Sequence, residues 1–144
     1  MKKTTQSIVF ALIASLSLTM PAWSGEELDR RESLNLTASE KHHLLSEMRT
    51  MLGSIQGILT GIGTEDRDLI MRSAREAGMQ MTRGTPQSLK QKLPPAFKEI
   101  GPPTHMMFDE LAVRAETDDM ATLAEFTGQL MRKCQQCHAK FKAD

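Results

Sequence analysis

Both cysteines of the chain and one of its four histidines fall in one short run, Cys134-Gln135-Gln136-Cys137-His138. C-x-x-C-H is the attachment signature of a c-type haem: two thiols add to the vinyl groups of the macrocycle, and the adjoining imidazole binds the iron. The flanking residues carry a helical apolar pattern, so Cys134, Cys137 and His138, at i, i+3 and i+4, project from one helix face. Whatever packs on that face has to leave room for a porphyrin.

Three other uses of the pair compete. A thioredoxin-like redox pair needs a βαβ context and a thiol pKa lowered at a helix N-terminus, whereas these cysteines sit towards the C-terminal end of a helical pattern, where the dipole disfavours thiolate. A zinc site would need a fourth ligand, from His42, His43 or His105, and three ligands crowded on one helical turn suit a tetrahedral ion badly. A structural disulfide is the third.

The opening residues read as an export signal. Lys2 and Lys3 form a basic start, Ile8 to Leu18 an apolar core, and Pro21-Ala22-Trp23-Ser24 ends on small residues of the kind a signal peptidase accepts. The expectation is cleavage after Ser24, with residues 1–24 a signal peptide and residues 25–144 one periplasmic domain. The apolar core is too short for a membrane span, and nothing later in the chain resembles one. Bacterial attachment of haem to C-x-x-C-H follows export, so the two signals agree.

Basic and acidic side chains balance at 18 each, which leaves no global field for nucleic-acid binding. Aromatic residues make up 4% of the chain, against 11 methionines, a composition suited to a helical core rather than to sheets.

Four helical segments follow. Thr37-Ala38-Ser39-Glu40 has the form of a capping box. After it Leu44, Leu45, Met48, Met51, Leu52, Ile55, Ile58, Leu59 and Ile62 recur at helical spacing, with Gly61 and Gly63 as the expected stop. Residues 26–35 are polar and carry no pattern. Thr64 is the expected cap of the second helix, Leu69, Ile70, Ala74 and Ala77 its apolar side, and Gly78 its stop. Met79 to Gln91 reads as the longest connection. Leu93 to Ile100 and Thr104 to Ala115 read as one third helix interrupted at Gly101-Pro102-Pro103. Thr117-Asp118-Asp119 opens the fourth, whose apolar positions Leu123, Phe126, Leu130, Cys134, Cys137 and Phe141 run into the haem motif.

Amphipathic helices of this number are satisfied by an all-α, antiparallel four-helix bundle with haem c near the C-terminus of the last helix. Export signal, helices and a C-x-x-C-H close to the chain end, continued by Ala139-Lys140-Phe141-Lys142, resemble the cytochrome c-prime family, a group of four-helix bundles. The resemblance implies Cys134 and Cys137 as thioether positions and His138 as the proximal ligand. Gly101-Pro102-Pro103 is not part of the family pattern. In that family a first-helix side chain faces the other side of the iron: Met in low-spin electron carriers, an apolar residue that does not bind in five-coordinate members. Matching Leu44-Leu45-Ser46-Glu47-Met48 to that helix puts Met48 there, with Met51, one turn on, as its competitor. Methionine is also common core filler.

His42 and His43, near the start of the first helix, and His105, after the proline pair, are expected at the surface rather than on iron. Arg132, Lys133, Lys140 and Lys142 read as cations that suit a helix C-terminus, and also as a basic rim steering an acidic redox partner. The function these readings imply is a mono-haem c-type cytochrome carrying single electrons on His138/Met48-ligated iron. The alternative is a five-coordinate haem protein binding nitric oxide or carbon monoxide. A haem-free periplasmic helical chaperone or sensor, suggested by the Leu36 to Glu40 helix start, is remote. No nucleophile and base pair stands out, so a non-enzyme is expected. Partners are a redox protein of unknown identity and, optionally, a second copy of the chain as a homodimer.

Overall fold

The computed structural model describes residues 28–144 and is predominantly helical. The expected signal peptide lies outside the described residues. Strand β1 (Glu32–Ser33) precedes helices α1 (Ala38–Thr64) and α2 (Arg67–Glu76). A 3-10 turn (Met81–Gly84) leads through the short helices α3 (Gln87–Lys92) and α4 (Pro95–Lys98) to α5 (Gly101–Arg114), α6 (Met120–Lys140) and strand β2 (Phe141–Lys142). Helix α1 packs on α2, α2 on α5, α5 on α6, and α6 returns to α1. No helix among the described residues is long and apolar enough to cross a membrane.

The capping box forms as the sequence predicts. The Glu40 amide donates to Thr37 Oγ1 at 3.3 Å and the Thr37 amide donates to Glu40 Oε2 at 2.9 Å, while Lys92 Nζ of α3 reaches the same oxygen at 2.6 Å. The Lys92 ammonium first, and the Thr37 amide second, hold the Glu40 carboxyl at about 2, below its ordinary 4.5. A depressed carboxyl contributes stability that is complete above its unfolded value and lost as pH falls through its folded one. Urea midpoints should therefore fall for the wild type between about pH 4.5 and pH 2, and Glu40→Gln should flatten that part of the profile. An unchanged slope in the variant would remove Glu40 from the acid response.

Helix α1 does not stop at Gly61 or Gly63. It runs to Thr64 and ends where Glu65 turns left-handed at φ 55°. Gly61 serves close packing instead: a Cβ there would lie 2.7 Å from Ile70 Cγ1 and 2.9 Å from the Asp66 carbonyl oxygen, so the missing side chain lets α2 approach. Thr64 does not cap α2 either, because its hydroxyl donates to the Thr60 carbonyl inside α1 at 3.0 Å. Asp66 takes the role, accepting from the Leu69 amide at 2.9 Å, and Asp119, the last of the three residues expected to open α6, caps that helix by accepting from the Thr122 amide at 2.9 Å. Helix α2 ends at Glu76, just before Gly78.

The third helical segment also differs. Gly101-Pro102-Pro103 forms the first turn of α5, where prolines lose no helical hydrogen bond, and the separation from α4 falls before it, at Glu99 and Ile100. The connection from Met79 to Gln91 is not plain loop, since it holds the 3-10 turn and α3, whose Leu89 is fully buried.

Two apolar clusters result. One joins Ile55, Ile58, Ile70, Phe108, Leu111 and Leu130 between the longer helices. Ala74, Ala77, Ala112 and Ala115 keep α2 and α5 close, and Arg67 of α2 donates to the Ala115 carbonyl at the end of α5 at 2.6 Å. The other joins Leu34, Leu44, Leu89, Leu93, Phe97 and Phe141, with the rings of Phe97 and Phe141 5.5 Å apart. Residues 28–35, featureless in sequence, supply Leu34 to this second cluster. There β1 pairs in parallel with β2, Glu32 opposite Phe141 and Ser33 opposite Lys142, and the Leu34 amide donates to the Lys142 carbonyl at 3.0 Å. The apolar stripe expected on α1 is split. Leu44, Met51, Ile55 and Ile58 are buried, whereas Leu52 and Leu59 keep 70% and 48% exposure.

Candidate functional site

A cavity of about 740 Å³ opens between α1, α6 and the α3 to α5 stretch. That volume lies within the range of small-molecule and cofactor pockets, roughly 300 to 1,000 Å³. Leu44, Met48, Met51 and Ile55 form its α1 wall, Cys134, Cys137 and His138 its α6 wall, and Leu93, Phe97 and Ile100 the third. Leu52 and Met131, two of the more exposed large apolar side chains, lie at the cavity too, so an apolar occupant would cover them.

The site falls at the seam between the two clusters. Cys134 packs against the first and Cys137 against the second, because i, i+3 spacing on α6 turns the later residue towards Phe141 and α4. Met48 touches both clusters and is half-buried, whereas Met51 packs only in the first and is 8% exposed. Both methionines line the cavity, but Met48 spans the same seam as the cysteines. His138 is exposed and borders the cavity.

Neither cysteine is in a disulfide. Burial pushes both thiols up in pKa, and Cys134 nearby pushes Cys137 further the same way. They are therefore held as thiols, the reverse of a dithiol oxidoreductase, whose attacking sulfur needs a lowered value. Among the described residues no group of three His, Cys, Asp or Glu side chains is gathered to hold a metal ion, so the zinc reading finds no ligand set.

The other histidines separate. His42 is exposed, and His43 Nε2 sits 3.1 Å from Glu47 Oε1; neither borders the cavity. His105 is not at the surface. It is 7% exposed, lines the cavity, and its Nδ1 lies 2.7 Å from the carbonyl oxygen of Ala77, the C-terminal cap of α2. A helix end leaves carbonyls without intrahelical partners, and the ring supplies a donor there. The spacing from His105 to Phe108 and Leu111 is the signal in the sequence that marks it as inward-facing.

The basic residues near the motif also divide. Of Arg132, Lys133, Lys140 and Lys142, only Lys133 borders the cavity. Lys142 pairs with Asp144 at 3.3 Å and Asp29 at 3.9 Å, and Lys140 lies 5.6 Å from the centre of the Phe141 ring. Arg49, Lys90 and Lys98, unremarked in the sequence, join Lys133 on the cavity wall.

This donor set suits a haem: two neutral thiols and an imidazole on one helix edge, a thioether on the facing helix, and apolar walls between. No protein-family model matches the chain, and no curated protein or solved structure matches it either. The likeness to the cytochrome c-prime family therefore stands on the residues themselves.

Proposed function

We propose that the chain is an exported, periplasmic mono-haem c-type cytochrome that carries single electrons. In this reading α1, α2, the α4 and α5 pair, and α6 make an antiparallel four-helix bundle. Cys134 and Cys137 hold haem c through thioether links, His138 is the proximal iron ligand and Met48 the distal one. The observation that carries the proposal is a single apolar cavity bordered on one side by Cys134, Cys137 and His138 and on the other by Met48.

When bound, haem iron supplies a one-electron couple. The protein's part is to hold, orient and shield it. Cys134 and Cys137, at i and i+3 on α6, would tether the group to that helix at two points. With the Met48 thioether and the His138 imidazole as its protein ligands, the iron would have a higher reduction potential than with two imidazoles. The apolar walls of Leu44, Ile55, Leu93 and Phe97 would keep water from a bound group, and low polarity would let surrounding charges act more strongly on its couple.

An absorption spectrum of oxidised and reduced periplasmic protein tests the proposal. Low-spin bands with a weak far-red sulfur-to-iron band are expected. A high-spin spectrum with ready binding of carbon monoxide would favour the five-coordinate, gas-binding alternative, and a spectrum without haem bands would end both.

A further inference from the structure

Four cations border the cavity, and among the described residues none is in an ion pair: Arg49 on α1, Lys90 on α3, Lys98 at the end of α4, and Lys133 on α6. The lone acid on the same wall, Glu47, is already engaged. It sits 3.1 Å from His43 Nε2 and accepts from Thr85 Oγ1 at 2.8 Å. The side chains of Lys90 and Lys133 are partly buried at the cavity wall, and among the described residues neither has an acid as partner. An ammonium that has no acid beside it and borders an apolar wall is free to make charge-assisted hydrogen bonds to a ligand carboxylate. The rest of the wall is apolar. The complement is a large apolar body with more than one carboxylate at its edge.

On these grounds, and resting on the haem reading above, we propose that Lys90 and Lys133 anchor the two propionate carboxylates of the cofactor, with Arg49 and Lys98 strengthening the same positive edge. Lys133 precedes Cys134 directly, and Lys90 reaches the cavity from the segment that reads in sequence as a polar connection. The pair therefore addresses the group from two elements, α6 and α3. Ion pairing of this kind depends on neither thiol, so it can be read without a covalent link.

The test uses the full mature chain made without haem attachment and kept reduced, titrated with free haem and with haem whose two propionates are methyl-esterified. Binding is read from the Soret band and, with porphyrin analogues in which zinc replaces iron, from the change in the porphyrin's own fluorescence. Free haem should bind about tenfold or more tightly than the diester, which equals about 1.4 kcal/mol per decade. The preference should weaken as salt is raised. Lys90→Gln with Lys133→Gln should bring haem down to the diester's affinity while leaving the diester unchanged, and Lys140→Gln, whose side chain does not border the cavity, should change neither. Equal binding of haem and diester by the wild type would overturn the anchoring role and leave the haem reading intact. A preference that survives the double substitution would overturn the assignment to these two lysines. Failure of both ligands to bind would defeat the haem reading and this inference with it.

Discussion

Protein exported through an intact haem-attachment system should keep its haem after acid-acetone extraction, and Cys134→Ala with Cys137→Ala should lose all of it. The effect is all or none because two thioethers are the only covalent links the chain can offer: no other cysteine exists in the sequence. Both side chains are half-buried, each against one of the two apolar clusters, and make one weak hydrogen bond between them, from the Cys134 thiol to the Leu130 carbonyl at 3.9 Å, so truncating both should cost the fold about 1 to 2 kcal/mol. Loss of haem with helix content retained would separate attachment from folding. A wild-type mass equal to the bare polypeptide, or porphyrin that extracts freely, would end the proposal.

Met48→Ala should abolish the far-red sulfur-to-iron band, convert the oxidised protein towards high spin, open the iron to carbon monoxide and lower the reduction potential. The haem should stay attached, since Cys134 and Cys137 are untouched. Met51→Ala is the informative comparison. Met51 is packed in the larger cluster at 8% exposure, so its truncation should cost about 2 to 5 kcal/mol of stability and leave the band in place. If the Met51 variant alone lost the band, the ligand would move one turn along α1 and the match of that helix to the family pattern would be wrong.

What could be read before the structure was largely periodic. The capping box at Thr37 and Glu40, the inward face of α1 from Leu44 to Ile58, and the run from Leu123 to Leu130 all obey local rules that a helix enforces on its own sequence. The misreadings share one cause, which is that a residue type was given its commonest local use while a tertiary neighbour imposed another. Gly61 and Gly63 looked like stops, but Gly61 is a packing glycine against Ile70. Thr64 looked like a cap, but its hydroxyl was already spent on Thr60. His105 looked like a surface residue, but an orphan carbonyl at Ala77 draws it inside. The cavity shows the same division. Its α6 wall was visible as a motif and Met48 through a resemblance, whereas Lys90, Phe97 and Leu93 belong to it only because α3 and α4 fold back from a stretch with too little periodicity to betray them.

The pairing of β1 with β2 sets an order in time. Ser33 and Asp144, 111 residues apart, are joined by a hydrogen bond, and Leu34 shares a cluster with Phe141. A chain delivered from its N-terminus holds the β1 segment unpaired until Phe141 and Lys142 arrive. A pairing between residues so far apart in sequence carries a loop-closure cost that the helices, built on local contacts, do not.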